Sequence, residues 1–187
     1  MASMQDATPP QQRPPSSPGA SAVVVALGAN QGRERATFSA VIAELRRRFG
    51  TVHPSRLYRS VALGPTQPDY LNAAVLFDFE PDLLTLLPQL QAIEAEFGRV
   101  RAERWGPRTL DLDLLWAGAR CVNTFTLTVP HAQLRFRNFA LLPLLDLIPE
   151  AVDPVDGVPY VDLVDGLSEP LIQVVDQASW WEVPTLL

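Results

Sequence analysis

The segment RWGPRTLDLDLLW, Arg104 to Trp116, sets two carboxylates beside a cluster of positive charge. Asp111 and Asp113 lie two apart, so on a strand they project from one face while Leu110, Leu112 and Leu114 fill the other. Adjacent carboxylates repel, and each raises the other's pKa unless a cation sits between them. Mg2+ suits such a pair, because it takes oxygen ligands and is held by one or two carboxylates plus substrate phosphates. A solvated acidic edge strand would carry the same pattern, so the pair alone leaves both readings open. Arg99, Arg101, Arg104 and Arg108 stand just upstream, opposed only by Glu103. Guanidinium groups match phosphate oxygens in pairs and keep their charge when partly buried. Four of them beside a carboxylate pair make a clamp for a polyphosphate; the plainer alternative is a basic loop paired with the acidic C-terminal segment.

Weaker signals surround this centre. Trp105 is either a core residue or a platform for a planar ring. His131, in TVPHAQ, fits a structural hydrogen-bonding role as well as a binding one. Gln91 and Glu94 share a helix face, where an exposed glutamate is ordinarily just solvated. Tyr70 and Asn72 alternate on a strand, where asparagine is disfavoured and invites a local reason. LGANQG, Leu27 to Gly32, matches no phosphate-loop pattern and reads as a strand-to-helix turn.

The elements that must position these residues follow from periodicity. Residues 1–20, rich in Pro, Ser and Gln, read as a disordered leader, and 21–187 as one domain. Ser21–Leu27 reads as a buried strand ending at Gly28. A helix follows, with Phe38, Val41, Ile42, Leu45 and Phe49 on one face and Gly50 as its stop. Thr51–Ser60 and Tyr70–Phe79 read as strands around the turn-rich LGPTQPD. Pro81 is expected in the first turn of a second helix, whose inner face is Leu83, Leu87, Leu90, Ile93 and Phe97 and which ends at Gly98. Pro88 inside it should cost a hydrogen bond or introduce a kink. Thr109–Trp116 is the fourth strand, Phe125–Val129 a candidate fifth, and Phe136–Leu147 a proline-interrupted helix. The order β-α-β-β-α-β predicts an α+β, ferredoxin-like sandwich with an antiparallel sheet, helices on one face, and C-terminal additions.

Composition narrows the chemistry. All 15 basic residues are arginine, which excludes every lysine mechanism. The net charge of −6 argues against a general nucleic-acid binder. The single Cys121 excludes an intramolecular disulfide and a cysteine-based zinc cage. No apolar run approaches a membrane span, so no membrane partner and a cytoplasmic location are expected.

In order, LGANQG, LYRS, LGPTQPDYLNAAV, IEAEFGRVRAERWGPRTLDLDLL and LTVPHAQLRFRNFALLPLLDLIPE resemble the 6-hydroxymethyl-7,8-dihydropterin pyrophosphokinases of folate biosynthesis, over roughly residues 22–150. The resemblance implies transfer of a pyrophosphoryl group from ATP, as co-substrate, to the pterin hydroxymethyl oxygen, with release of AMP and with two Mg2+ ions. By the same resemblance Asp111 and Asp113 are the metal ligands and, with Arg99 and Arg108, the catalytic group. Gln91, Glu94, Arg101, Arg104, Trp105, Thr128, His131 and Arg137 are implied on the ATP side, and Ser60, Leu63, Tyr70, Asn72 and Phe139 on the pterin side. A monomer acting on these two small molecules is expected. A two-metal nucleotidyltransferase, with Glu94 as its third carboxylate, would share the Asp-x-Asp strand but release pyrophosphate. A non-catalytic RNA-binding module would need a basic face that this acidic chain lacks.

Overall fold

The computed structural model describes residues 22–62, 66–99, 106–167, 173–176 and 180–182. The expected leader, Leu63, Arg101, Arg104 and Trp105 therefore lie outside the described residues.

Elements run β1 (Val23–Ala29), α1 (Glu34–Phe49), β2 (Val52–Pro54), β3 (Leu57–Ser60), β4 (Tyr70–Phe77), α2 (Leu83–Glu96), β5 (Asp111–Trp116), β6 (Val122–Asn123), β7 (Thr128–Val129), α3 (Asn138–Leu147) and β8 (Gln173–Asp176). The main sheet has the order β5-β1-β4-β3-β8, with β2 also on β4. Every pairing in it is antiparallel. β6 and β7 form a separate two-stranded ribbon.

Strand alternation gives the sheet two unlike faces. Val23, Val25, Leu27 and Ala29 of β1 join Leu71, Ala73 and Val75 of β4 and Leu112 and Leu114 of β5 in one core. Phe38, Val41, Ile42 and Leu45 of α1 and Leu83, Leu86, Leu90 and Ile93 of α2 cover it. Trp180 completes this layer: its ring centroid lies 6.0 Å from that of Phe38, and its indole N–H donates to the Ser55 carbonyl at 2.9 Å. On the opposite face, Val24, Ala74, Leu115 and Trp116 pack against Ala140, Leu141 and Leu144 of α3. The expected one-sided cover is thus corrected, because α3 is apolar enough to close half of the second face.

Local chemistry explains the other departures. The expected strand Thr51–Ser60 is split, because Ser55 bonds Ala74 through both its amide and its hydroxyl and turns the chain between β2 and β3. Asp82, not Pro81, starts α2: its carboxylate accepts the Leu84 amide at 3.0 Å, leaving Pro81 before the cap. Pro88 stays inside a continuous helix, and Leu84, whose carbonyl loses its helical donor, is exposed to water. Leu86 joins the expected inner face as a fully buried residue, Leu87 and Phe97 pack partly buried against the same core, and the helix ends at Glu96 with Gly98 at φ 78° beyond it. β1 runs on through Gly28 to Ala29, β4 stops at Phe77, and β5 begins at Asp111. Phe125 lies in a turn, outside the strand expected there, and the last helix starts at Asn138 after a short 3-10 turn. Asp146 of α3 accepts from the Arg56 amide at 3.1 Å and the Tyr58 hydroxyl at 2.7 Å, fastening α3 to β3. No described helix is long and apolar enough to cross a membrane.

Candidate active site

The site lies where α3 stops covering its face of the sheet. Register places Asp111, Gly28, Asn72 and Tyr58 in one row across β5, β1, β4 and β3, and Asp113, Ala26 and Ala74 in the next. Small residues between the carboxylates and Asn72 leave an open ledge. A Cβ on Gly28 would meet Asp111 Cβ at 3.8 Å, an ordinary contact, so the glycine serves the space above the sheet rather than the strand pairing.

Asp111 is held by two arginines. Arg108 hydrogen-bonds its Oδ2, and Arg99 Nη1 lies 2.6 Å from its Oδ1. Arg99 also hydrogen-bonds Glu94, which is buried and accepts the Leu112 amide at 2.7 Å. β5 is the sheet edge, so Glu94 satisfies a strand amide with no neighbouring strand to take it. Burial raises the pKa of Glu94, partly opposed by the Leu112 amide and the Arg99 charge. The solvated glutamate that sequence suggests is therefore a buried link between α2, the arginine loop and β5.

Asp113 receives no hydrogen bond from any described residue. It reaches solvent but is walled by protein on most sides, and this desolvation raises its pKa above the ordinary carboxylate range. The adjacent charge of Asp111 adds to the rise. An accessible carboxylate short of partners, next to a second carboxylate, fits a hard divalent cation. The described residues hold no cluster of three or more His, Cys, Asp or Glu side chains suited to a metal. Mg2+ does not require one when substrate phosphates complete its shell.

Two cavities meet at Asp113 and His131. The first, of about 280 Å³, is lined by Ser60, Tyr70, Asn72, Arg108, Asp111, Arg137 and Phe139. Asn72 donates to the Ser60 hydroxyl at 2.9 Å, and Tyr70 donates to the Gly106 carbonyl at 3.2 Å. Partial burial raises the Tyr70 pKa. Arg137 stands 4.7 Å over the Phe139 ring. It lines this cavity, and so lies beside the residues expected for the pterin. The second cavity is lined by Leu87, Gln91, Glu94, Arg99, Thr124 to Thr128 and Ala132. Gln91, Glu94, Thr128 and His131, expected on the ATP side, all border it. His131 Nδ1 accepts the Gln133 amide at 3.3 Å, so the proton of the neutral ring sits on Nε2.

Asn30 escapes the sequence reading. It is 1% exposed, accepts the Arg108 amide at 2.8 Å, and donates at 3.0 Å to both the Gln67 side chain and the Pro68 carbonyl. One turn residue thus ties the arginine loop to the loop before β4. An asparagine in LGANQG is a turn signal, but the pattern does not say which distant loops it will reach.

The chain matches the family model "7,8-dihydro-6-hydroxymethylpterin-pyrophosphokinase (HPPK)" over residues 24–149. It is 42% identical over 165 residues to the 2-amino-4-hydroxy-6-hydroxymethyldihydropteridine pyrophosphokinase of Synechocystis, covering 87% of this chain and 81% of that one. A Pseudomonas aeruginosa protein of the same name is 45% identical over 131 residues, covering 68% and 81%. The solved Plasmodium falciparum HPPK-DHPS with pteroate shares the fold with a TM-score of 0.63 at 14% identity, covering 78% of this chain. This chain spans 44% of that solved one.

Proposed function

We propose a function from this premise: the chain belongs to the 7,8-dihydro-6-hydroxymethylpterin-pyrophosphokinase family. It transfers the pyrophosphoryl group of ATP to 6-hydroxymethyl-7,8-dihydropterin in folate biosynthesis. The observation that carries the residue roles is the meeting of two cavities at Asp113 and His131, which lets two substrates present their reacting ends to one point. We read the frame as ferredoxin-like, since a β-α-β-β-α-β order whose second strand is split into β2 and β3, with adjacent β5, β1, β4 and β3, supports it.

The hydroxymethyl oxygen attacks the β-phosphorus and gives up its proton to solvent, the bond from that phosphorus to the oxygen of the α-phosphate breaks, and AMP leaves with the electron pair of that bond. Such transfers ask mainly for alignment and for charge stabilisation on the phosphate oxygens. Asp111 and Asp113 would hold Mg2+, which supplies charge neutralisation at those oxygens. Arg99 and Arg108, already beside Asp111, bind the triphosphate, and His131 donates from Nε2. Arg101 and Arg104, between Arg99 and Gly106 in the sequence, are proposed to bind the triphosphate as well, and Trp105 to lie against a bound ring. In the first cavity Asn72, Ser60 and Tyr70 supply polar contacts to the pterin edge and Phe139 supplies a flat apolar wall; Leu63 is proposed, by family likeness alone, as a further pterin contact. One chain supplies both cavities, which supports a working monomer.

A product assay with Mg-ATP and 6-hydroxymethyl-7,8-dihydropterin tests this. The expected result is AMP formed one-for-one with the pterin pyrophosphate. Release of ADP or of pyrophosphate would overturn the reaction type, and absence of any pterin-dependent product would overturn the substrate.

A further inference from the structure

We propose that Phe125 is a base-stacking residue, whose ring receives the flat face of the ATP purine. The assignment rests on the pyrophosphokinase reading and adds to it how the far end of the nucleotide is held. Phe125 is 105% exposed, whereas Phe79 packs its ring 6.5 Å from Phe49 and 5.7 Å from Phe77. A large apolar ring left wholly in water at the lip of a ligand cavity is an unspent source of binding.

The ring is held out by a rigid support. Thr124 and Leu127 close the turn, with Thr124 N–H donating to the Leu127 carbonyl at 2.8 Å and Leu127 N–H to the Thr124 hydroxyl at 3.0 Å. Leu127 is buried beneath, and the Asn123–Thr128 pair of the ribbon fixes both ends. The backbone beneath the ring is therefore ordered before a ligand arrives, and only the rotamers of the side chain itself are left to be fixed on stacking.

The second cavity is chemically lopsided, and this identifies what stacks there. Along α2 its wall runs from Glu94 through Gln91 to Leu87, one residue per turn. Its lining divides by chemistry: Arg99, Asp113 and His131 suit a polyphosphate, whereas Leu87, Gln91 and Phe125 carry no charge. A ligand that satisfies both sets is anionic in one part and planar and weakly polar in another, as a purine nucleoside triphosphate is. Aromatic stacking recognises any base face, so it supplies affinity without reading the base edge.

The test is calorimetric binding to the full-length protein in Mg2+, comparing α,β-methylene-ATP with inorganic tripolyphosphate, which has the same anionic tail and no base. Phe125→Ala should weaken the nucleotide by about 5- to 100-fold. The same variant should leave tripolyphosphate unchanged, and Phe125→Trp should restore nucleotide affinity. Equal losses for both ligands, or no loss for the nucleotide, would overturn the assignment while leaving the reaction standing. Wild-type protein that binds neither ligand overturns the pyrophosphokinase reading and this assignment with it.

Discussion

The two faces of the sheet use the same strands to opposite ends. On the α1–α2 face, Val25, Leu27, Val75, Leu112 and Leu114 are sealed by two helices and by Trp180. On the α3 face the cover is partial: Val24, Ala74 and Trp116 are sealed, but Gly28, Asn72, Asp111 and Asp113 are left on an open ledge. A period of two lets β5 serve both, with leucine in the core and aspartate at the site. The open face carries the first cavity and the closed face most of the core, and the two meet where Leu112 and Leu114 also border the second cavity, so residues away from that border should fail in different ways.

Asp113→Ala should break the open face alone. We expect turnover to fall on the order of 10³-fold, as loss of a ligand to the charge-neutralising cation implies. The melting temperature should hold or rise, because the variant removes a carboxylate whose charged form is disfavoured there. Retention of most of the parental rate in steady-state assays would remove Asp113 from the metal site. Leu45→Ala, on α1 and outside both cavities, should break the closed face. It should cost about 2–5 kcal/mol in denaturant unfolding, while protein kept folded at low temperature still turns over. A variant of full stability but no activity would show that the faces are not separable.

A third change sharpens the contrast by touching neither face. Glu44, on the exposed side of α1, hydrogen-bonds Arg47 and Arg48, which hold its pKa down to about 2 from 4.5. A carboxylate whose folded pKa is depressed adds stability above its unfolded pKa and loses it as pH falls through the folded value. Glu44→Gln should therefore be slightly less stable than the parent above pH 4.5, and the two should converge as pH falls towards 2. Acid unfolding followed by circular dichroism would show it. A gap that widens on acidification would contradict the pairing.

Patterns carried on one element were legible in the sequence; patterns shared between elements were not. The period of α1 and the alternation of β5 are local, so the apolar stripe from Phe38 to Leu45 and the shared face of Asp111 and Asp113 are already present in the letters. The break at Ser55 depends on a strand paired from far along the chain, and a run of strand-forming residues does not announce it. Glu94 looks solvated because its partners, the Leu112 amide and Arg99, are supplied by other elements. Asn30 and Arg137 carry the same lesson: the residue type was visible, the neighbour was not. The family resemblance assigned roles to residues, and folding supplied the two-cavity geometry that makes the roles compatible.

Asp146 has a consequence for selectivity. It fastens α3 to β3, while Phe139 near the start of the same helix and Ser60 at the end of the same strand both line the first cavity. The spacing of these two elements is tied to an anchor some two helical turns from Phe139. Such an anchor resists spreading of the two elements when a ligand enters between them. Substituents on the flat faces of the ring would be rejected by dimension alone, even where every polar contact along its edge is satisfied.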